Sequence, residues 1–100
     1  MRDRLDNSLK LIEEEAEHLW QGKGANLEKI SGVLQNVVDV IMNIADELSG
    51  EDRTATLSYI EKGLGDYKMA CDRRDDFLLA DCLYYQWREI ILIFIGAIEG

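Results

Sequence analysis

An all-α fold, an antiparallel up-down-up-down four-helix bundle forming a single domain over residues 1–100, is predicted by three features of the sequence. The chain has no proline. Its apolar residues recur at intervals of three and four, the spacing of one helix face at about 100° per residue. Breaks rich in Gly and Asp divide the pattern into stretches near 3–21, 26–48, 51–72 and 76–98, each long enough for a packed helix. A chain of this size can bury one modest core without disulfide staples.

The first stretch places Leu5, Leu9, Ile12, Ala16 and Leu19 within an arc of about 80°. Gly22 and Gly24 supply its stop, and Asn26 is the expected N-cap of the next helix. The second stretch has the cleanest stripe: Leu27, Ile30, Leu34, Val37, Ile41, Ile44 and Leu48. Val33, Val38, Val40 and Ala45 widen it, as suits a helix touching two neighbours. Ser49-Gly50 ends it. In the third stretch Leu57, Ile60, Leu64, Tyr67 and Cys71 keep helical spacing. Gly63 and Gly65 interrupt that pattern and point to close backbone packing or a local break, since each costs about 1 kcal/mol against Ala.

The fourth stretch carries Ala80, Leu83, Tyr84, Trp87, Ile90, Ile91, Phe94 and Ala97 on one face. Between the third and fourth stretches the apolar centre moves by about 140°, whereas heptad drift supplies only about 20° per repeat. A turn near Asp72–Asp76 therefore fits better than one continuous helix. Arg73 and Arg74 suit a helix C-terminus there, and Asp75 and Asp76 a following N-terminus.

Hydrophobic residues make up 47% and charged residues 31%, with a net charge of -9. The negative charge is spread evenly, and Arg73-Arg74 is flanked by aspartates. No segment is basic, which argues against a nucleic-acid or anionic-membrane face. The start lacks the apolar run of a signal peptide. The most apolar stretch, Ile90–Ile98, falls well short of the roughly 20 residues a membrane span needs. A cytoplasmic protein is the expectation. Cys71 and Cys82 lack C-x-x-C spacing and read as packing residues.

Little in the sequence suggests catalysis or a cofactor. Glu15-x-x-His18 has the spacing of di-iron bundle ligands, but His18, the sole histidine, falls about 140° from the apolar centre of its helix. Glu13, Glu14, Glu15 and Glu17 read as a solvated acidic face. No metal site and no cofactor are expected. With one outward histidine, nucleophilic catalysis lacks its usual base, so the chain reads as non-enzymatic. Lys62-Gly63-Leu64-Gly65-Asp66 has neither the spacing nor the preceding strand of a phosphate loop. Trp20, Trp87, Tyr59, Tyr67, Tyr84 and Tyr85 could line a ligand cavity, though ordinary packing accounts for them.

In size, acidity and helix count the chain resembles the secretion and flagellar export chaperones, with the second to fourth helices fitting that plan. The resemblance implies a helical protein client and carries over no binding residue.

One surface exceeds what a lone bundle needs. Leu78, Tyr85 and Leu92 repeat every seven residues on a line about 180° from the core face of the fourth helix. Ile93 and Ile95 flank that face, leaving residues 90–95 apolar all round. A stripe rimmed by Asp81, Arg88 and Glu89 has the form of an interface. Leu78, Tyr85, Leu92 and Ile95 are accordingly expected to form a homodimer contact, closed by a two-fold axis. The leading expectation is thus a cytoplasmic, homodimeric interaction protein. A client-binding chaperone or adaptor and a ligand- or metal-binding bundle are its rivals.

Overall fold

The computed structural model describes residues 2–99. It is all helical: α1 (Arg2–Trp20), α2 (Leu27–Asp46), α3 (Gly50–Arg73), α4 (Asp76–Asp81), a π-helical segment (Cys82–Trp87) and α5 (Arg88–Glu99). Cys82 and Arg88 both keep helical dihedrals, so α4, the π segment and α5 form one rod, the C-terminal helix. The result is a four-helix fold whose helices coincide with the four stretches of the sequence.

Capping chemistry explains the boundaries. Gly22 (φ 75°) takes the left-handed position after α1. Lys23 N–H then bonds to His18 O at 3.0 Å and Gly22 N–H to Leu19 O at 3.1 Å, a Schellman closure. Asn26 caps α2 by accepting from Lys29 N–H at 3.1 Å. The expected turn between the third and fourth stretches is two residues long. Arg74 sits at φ 52° where glycine is usual. Asp75 N–H closes α3 on Ala70 O at 3.3 Å, while its Oδ1 accepts Leu78 N–H at 3.0 Å to start α4. One aspartate thus ends one helix and begins the next.

The core gathers α1 (Leu5, Ile12, Ala16, Leu19), α2 (Ile30, Val33, Leu34, Val37, Val40, Ile41) and the C-terminal helix (Leu79, Leu83, Trp87, Ile90, Ile91, Phe94). α1 packs on α2 and along the C-terminal helix, and α3 packs on α2, α4 and the π segment. Along the α3 seam, Asp66 meets Gln86, Gly63 meets Trp87, and Ala55 and Thr56 lie beside Ile93 and Phe94. α3 and the C-terminal helix therefore run in opposite directions.

Three expected core positions lie elsewhere. Leu27, in the first turn of α2, and Ala97, near the end of α5, are exposed where the bundle ends. Leu64 is exposed because α3 is turned about its axis. Its buried residues are Thr56, Ile60, Gly63 and Ala70, a row shifted by one position from the Leu57–Leu64–Cys71 line. The large indole of Trp87 sets this rotation, since a Cβ on Gly63 would stand 3.1 Å from Trp87 Cζ2. Small side chains face the core so that α3 can approach. Glu15 also departs from expectation. It is buried rather than solvated, and Lys29 Nζ reaches its Oε1 at 2.9 Å.

Candidate functional groove

The π segment determines which side chains share the outer face. Arg88 N–H bonds to Leu83 O, five residues back rather than four. One residue is thereby inserted into the turn, and everything beyond it is rotated by about 100° relative to an uninterrupted α-helix. The row that begins at Leu78 and Tyr85 therefore continues to Glu89 and Ile93, not to Leu92. The expected interface is split. Leu78 and Tyr85 stay together, Leu92 is exposed outside their row, and Ile95 is 8% exposed inside the core.

Leu78, Tyr85 and Ile93 form one wall of a surface groove whose other wall is α3, through Tyr59 and Met69. Its volume is about 890 Å³. Tyr85 is 67% exposed, Tyr59 52%, Ile93 50% and Met69 44%. Lys62, Asp66, Asp81 and Glu89 also line it. The α3 side of this groove follows from the rotation just described: with Thr56, Ile60, Gly63 and Ala70 facing inward, Tyr59 and Met69 come round from the outer face of α3 to the flank beside the C-terminal helix. Sequence periodicity put Leu57, Ile60, Leu64, Tyr67 and Cys71 on the buried stripe and left Tyr59 and Met69 off it. It did not show that those two residues share a face beside the C-terminal helix.

A polar line ties the two walls. Gln86 Nε2–H donates to Asp66 Oδ2 at 2.9 Å, and the Cys82 thiol donates to Gln86 Oε1 at 3.4 Å. Beneath them Trp87 Nε1–H donates to Gly63 O at 3.3 Å. Burial, aided by the Asp66 carboxylate, pushes the Cys82 thiol up to about 12. It is protonated at neutral pH, and the nucleophilic form of cysteine is the thiolate. Cys71, on α3, is half-buried and also a free thiol. Burial raises the neighbouring Tyr67 phenol, whose oxygen lies 2.7 Å from Ser31 Oγ on α2.

Tyr85 also joins the groove to an aromatic cluster. Trp20 at the end of α1 lies 5.2 Å from Tyr84 and 6.3 Å from Tyr85 between ring centroids. The Arg88 guanidinium sits 5.0 Å over Tyr84 and its Nε lies 3.7 Å from Glu13 Oε1. These groups fasten α1 to the C-terminal helix and leave the groove side of Tyr85 open. His18 lies outside the groove, and Glu15, three residues before it, is engaged by Lys29. The Glu15–Lys29 hydrogen bond raises the lysine above its ordinary value. Among the described residues, no three His, Cys, Asp or Glu are gathered as a metal site, and no helix is long and apolar enough to cross a membrane. The chain matches no family model, no curated protein and no solved structure, so what it does must be argued from the groove itself.

Proposed function

We propose that this chain is a non-enzymatic helical interaction protein of the cytoplasm that holds a helix of another protein in the groove between α3 and the C-terminal helix. The observation that supports it best is the gathering of Tyr59, Met69, Tyr85 and Ile93, all largely exposed, around one concavity. Scattered apolar residues are ordinary on a surface; a contiguous set around a cleft marks a contact. Both walls are helices, and an amphipathic helix laid between two helices buries its apolar face against both. The groove thiol is held protonated and Asp66 is engaged by Gln86, which suits binding better than catalysis. Two free thiols, Cys71 and Cys82, suit a reducing compartment.

Shape favours a separate partner over a second copy. A two-fold axis through the groove would set concavity against concavity, whereas a convex helix fills it. The row drawn for self-association is also interrupted by the π segment. Photo-crosslinking in cells tests the reading, with benzoylphenylalanine at position 59 or 93 and, as control, at position 36 on the exposed face of α2. Adducts to another protein from positions 59 and 93 alone are expected. Adducts of doubled chain mass would give the groove to a second copy. Equal labelling from position 36 would remove the groove from consideration.

A further inference from the structure

We infer that the helix received by this groove is basic and amphipathic, about four turns long, with Lys or Arg concentrated at the end that lies over Asp66 and Asp81. The inference rests on the helix-binding reading above and adds the chemistry of the partner. Length comes from the walls. Ala55 to Met69 on α3 and Leu78 to Ile93 on the C-terminal helix each span about 21–22 Å at 1.5 Å per residue. A helix of roughly 14 residues covers that distance.

Charge complementarity fixes the partner's sign. Three carboxylates, Asp66, Asp81 and Glu89, line the groove against one ammonium, Lys62. Elsewhere Asp6, Glu13, Glu15 and Asp46 are matched by Arg2, Arg88, Lys29 and Arg53 within 4 Å. No described Lys or Arg lies within ion-pair distance of the three groove carboxylates, and Asp66 is held by a neutral amide. Its charge therefore remains uncompensated beside apolar walls. Lys62 and Glu89 occupy matching heights on opposite walls, so the net negative end is the one where Asp66 and Asp81 face Met69 and Leu78. A partner's cations complete that end while its apolar face meets Tyr59, Tyr85 and Ile93. Another copy of this chain would instead bring a further net charge of -9, which opposes encounter at low salt.

The test uses two fluorescent synthetic 15-residue helices with the same leucine face, one flanked by Lys and the other by Glu. Each is titrated into the intact protein in about 0.1 M salt, where screening extends over about 10 Å. The Lys helix is expected to bind about ten-fold more tightly than the Glu helix. Asp66→Asn with Asp81→Asn and Glu89→Gln should weaken the Lys helix by about ten-fold. The equally charged control on exposed α2 positions and its C-cap, Glu28→Gln with Asp39→Asn and Glu47→Gln, should change it by less than about three-fold. Circular dichroism restricts the comparison to folded variants, and Asp81→Asn with Glu89→Gln serves if the triple variant does not fold. Equal losses from groove and control variants, or equal binding of the two helices, would overturn the basic partner while leaving the groove reading standing. Binding undiminished by the neutral pair Tyr85→Ser and Ile93→Ser would overturn both.

Discussion

The C-terminal helix makes two seams of different character. Towards α1 it meets Leu5, Ile12, Ala16 and Leu19, none more than 2% exposed. Towards α3 it meets Thr56, Ile60, Gly63 and Ala70, among which Ile60 is the one large apolar side chain. The first seam is closed by apolar bulk and by the Trp20–Tyr84–Tyr85 cluster. Close approach and hydrogen bonds hold the second, through Trp87 to Gly63 and Gln86 to Asp66. α3 does not lack large apolar residues; Tyr59, Leu64 and Met69 are simply outside. A helix that meets the core with small residues and water with large ones has two faces at work. One positions it, and the other is available for contact.

Trp87 is fully buried in the core that α1 shares and donates to Gly63 in the α3 seam, so its removal is the strongest way to break the comparison. Trp87→Ala should cost about 3–5 kcal/mol, the usual range for a buried aromatic truncation. It would also leave the Gly63 carbonyl without its indole donor. Urea unfolding measures this. A loss below about 1 kcal/mol would mean that the two seams do not depend on a common anchor.

The α3 seam also carries a titrating group. Cys82 is raised from the ordinary 9 to about 12, so the folded state holds this proton more tightly than the unfolded chain does. Stability from that difference is complete below pH 9 and is lost as pH rises towards 12. Tyr67 and Lys29, both raised, act in the same direction, the lysine through its bond to Glu15. Cys82→Ala should therefore unfold less steeply than the parent chain across the alkaline limb, followed by circular dichroism. An unchanged slope would assign alkaline sensitivity to the other two groups.

Much of this division was legible in the sequence, because burial and helical period record the same fact wherever a stripe is wide. The α1 and α2 stripes, the Asn26 cap and the break beside Asp75 all follow from spacing and capping chemistry. Two features did not follow. The rotation of α3 depends on Trp87, which lies far along the chain, and local periodicity gives more weight to Leu64 than to Gly63. The π segment adds a residue without any proline or glycine to announce it. Counting seven residues from Tyr85 therefore led to Leu92 when the same face continues at Ile93. The groove is the product of those two long-range effects, so its separate halves were visible and their meeting was not.

Paired substitutions at neighbouring glycines sharpen the contrast at smaller scale. Alanine gains about 1 kcal/mol over glycine within a helix. At Gly65 a Cβ meets nothing within 4 Å, so Gly65→Ala should stabilise by about 0.5–1 kcal/mol. At Gly63 the same Cβ would press on Trp87, which is fully buried and held by its own hydrogen bond. Overpacking of this kind costs about 1–3 kcal/mol, leaving Gly63→Ala destabilised by roughly 1 kcal/mol after the helix gain. Opposite signs two residues apart are the expected result in thermal unfolding. Like signs would show that Trp87 can move aside and that the small-residue row is not what admits α3.

The smallest expected effect says most about the groove. Tyr85→Ser with Ile93→Ser removes two large apolar side chains, and a core pair treated this way would lose several kcal/mol. Both residues are at least half exposed, however, and surface changes away from caps and cores stay within about ±0.5 kcal/mol. Tyr85 does touch Trp20, yet Tyr84 keeps the closer 5.2 Å contact when Tyr85 is lost. Near-unchanged urea unfolding is therefore expected, together with loss of the groove's affinity for an apolar helix. Apolar residues that the fold does not need, arranged around one cleft, are accounted for by binding. If the double variant instead loses more than about 2 kcal/mol, the magnitude of a buried truncation, Tyr85 and Ile93 act as core residues. The α3 seam would then be as closed as the α1 seam, and the contrast between them would disappear.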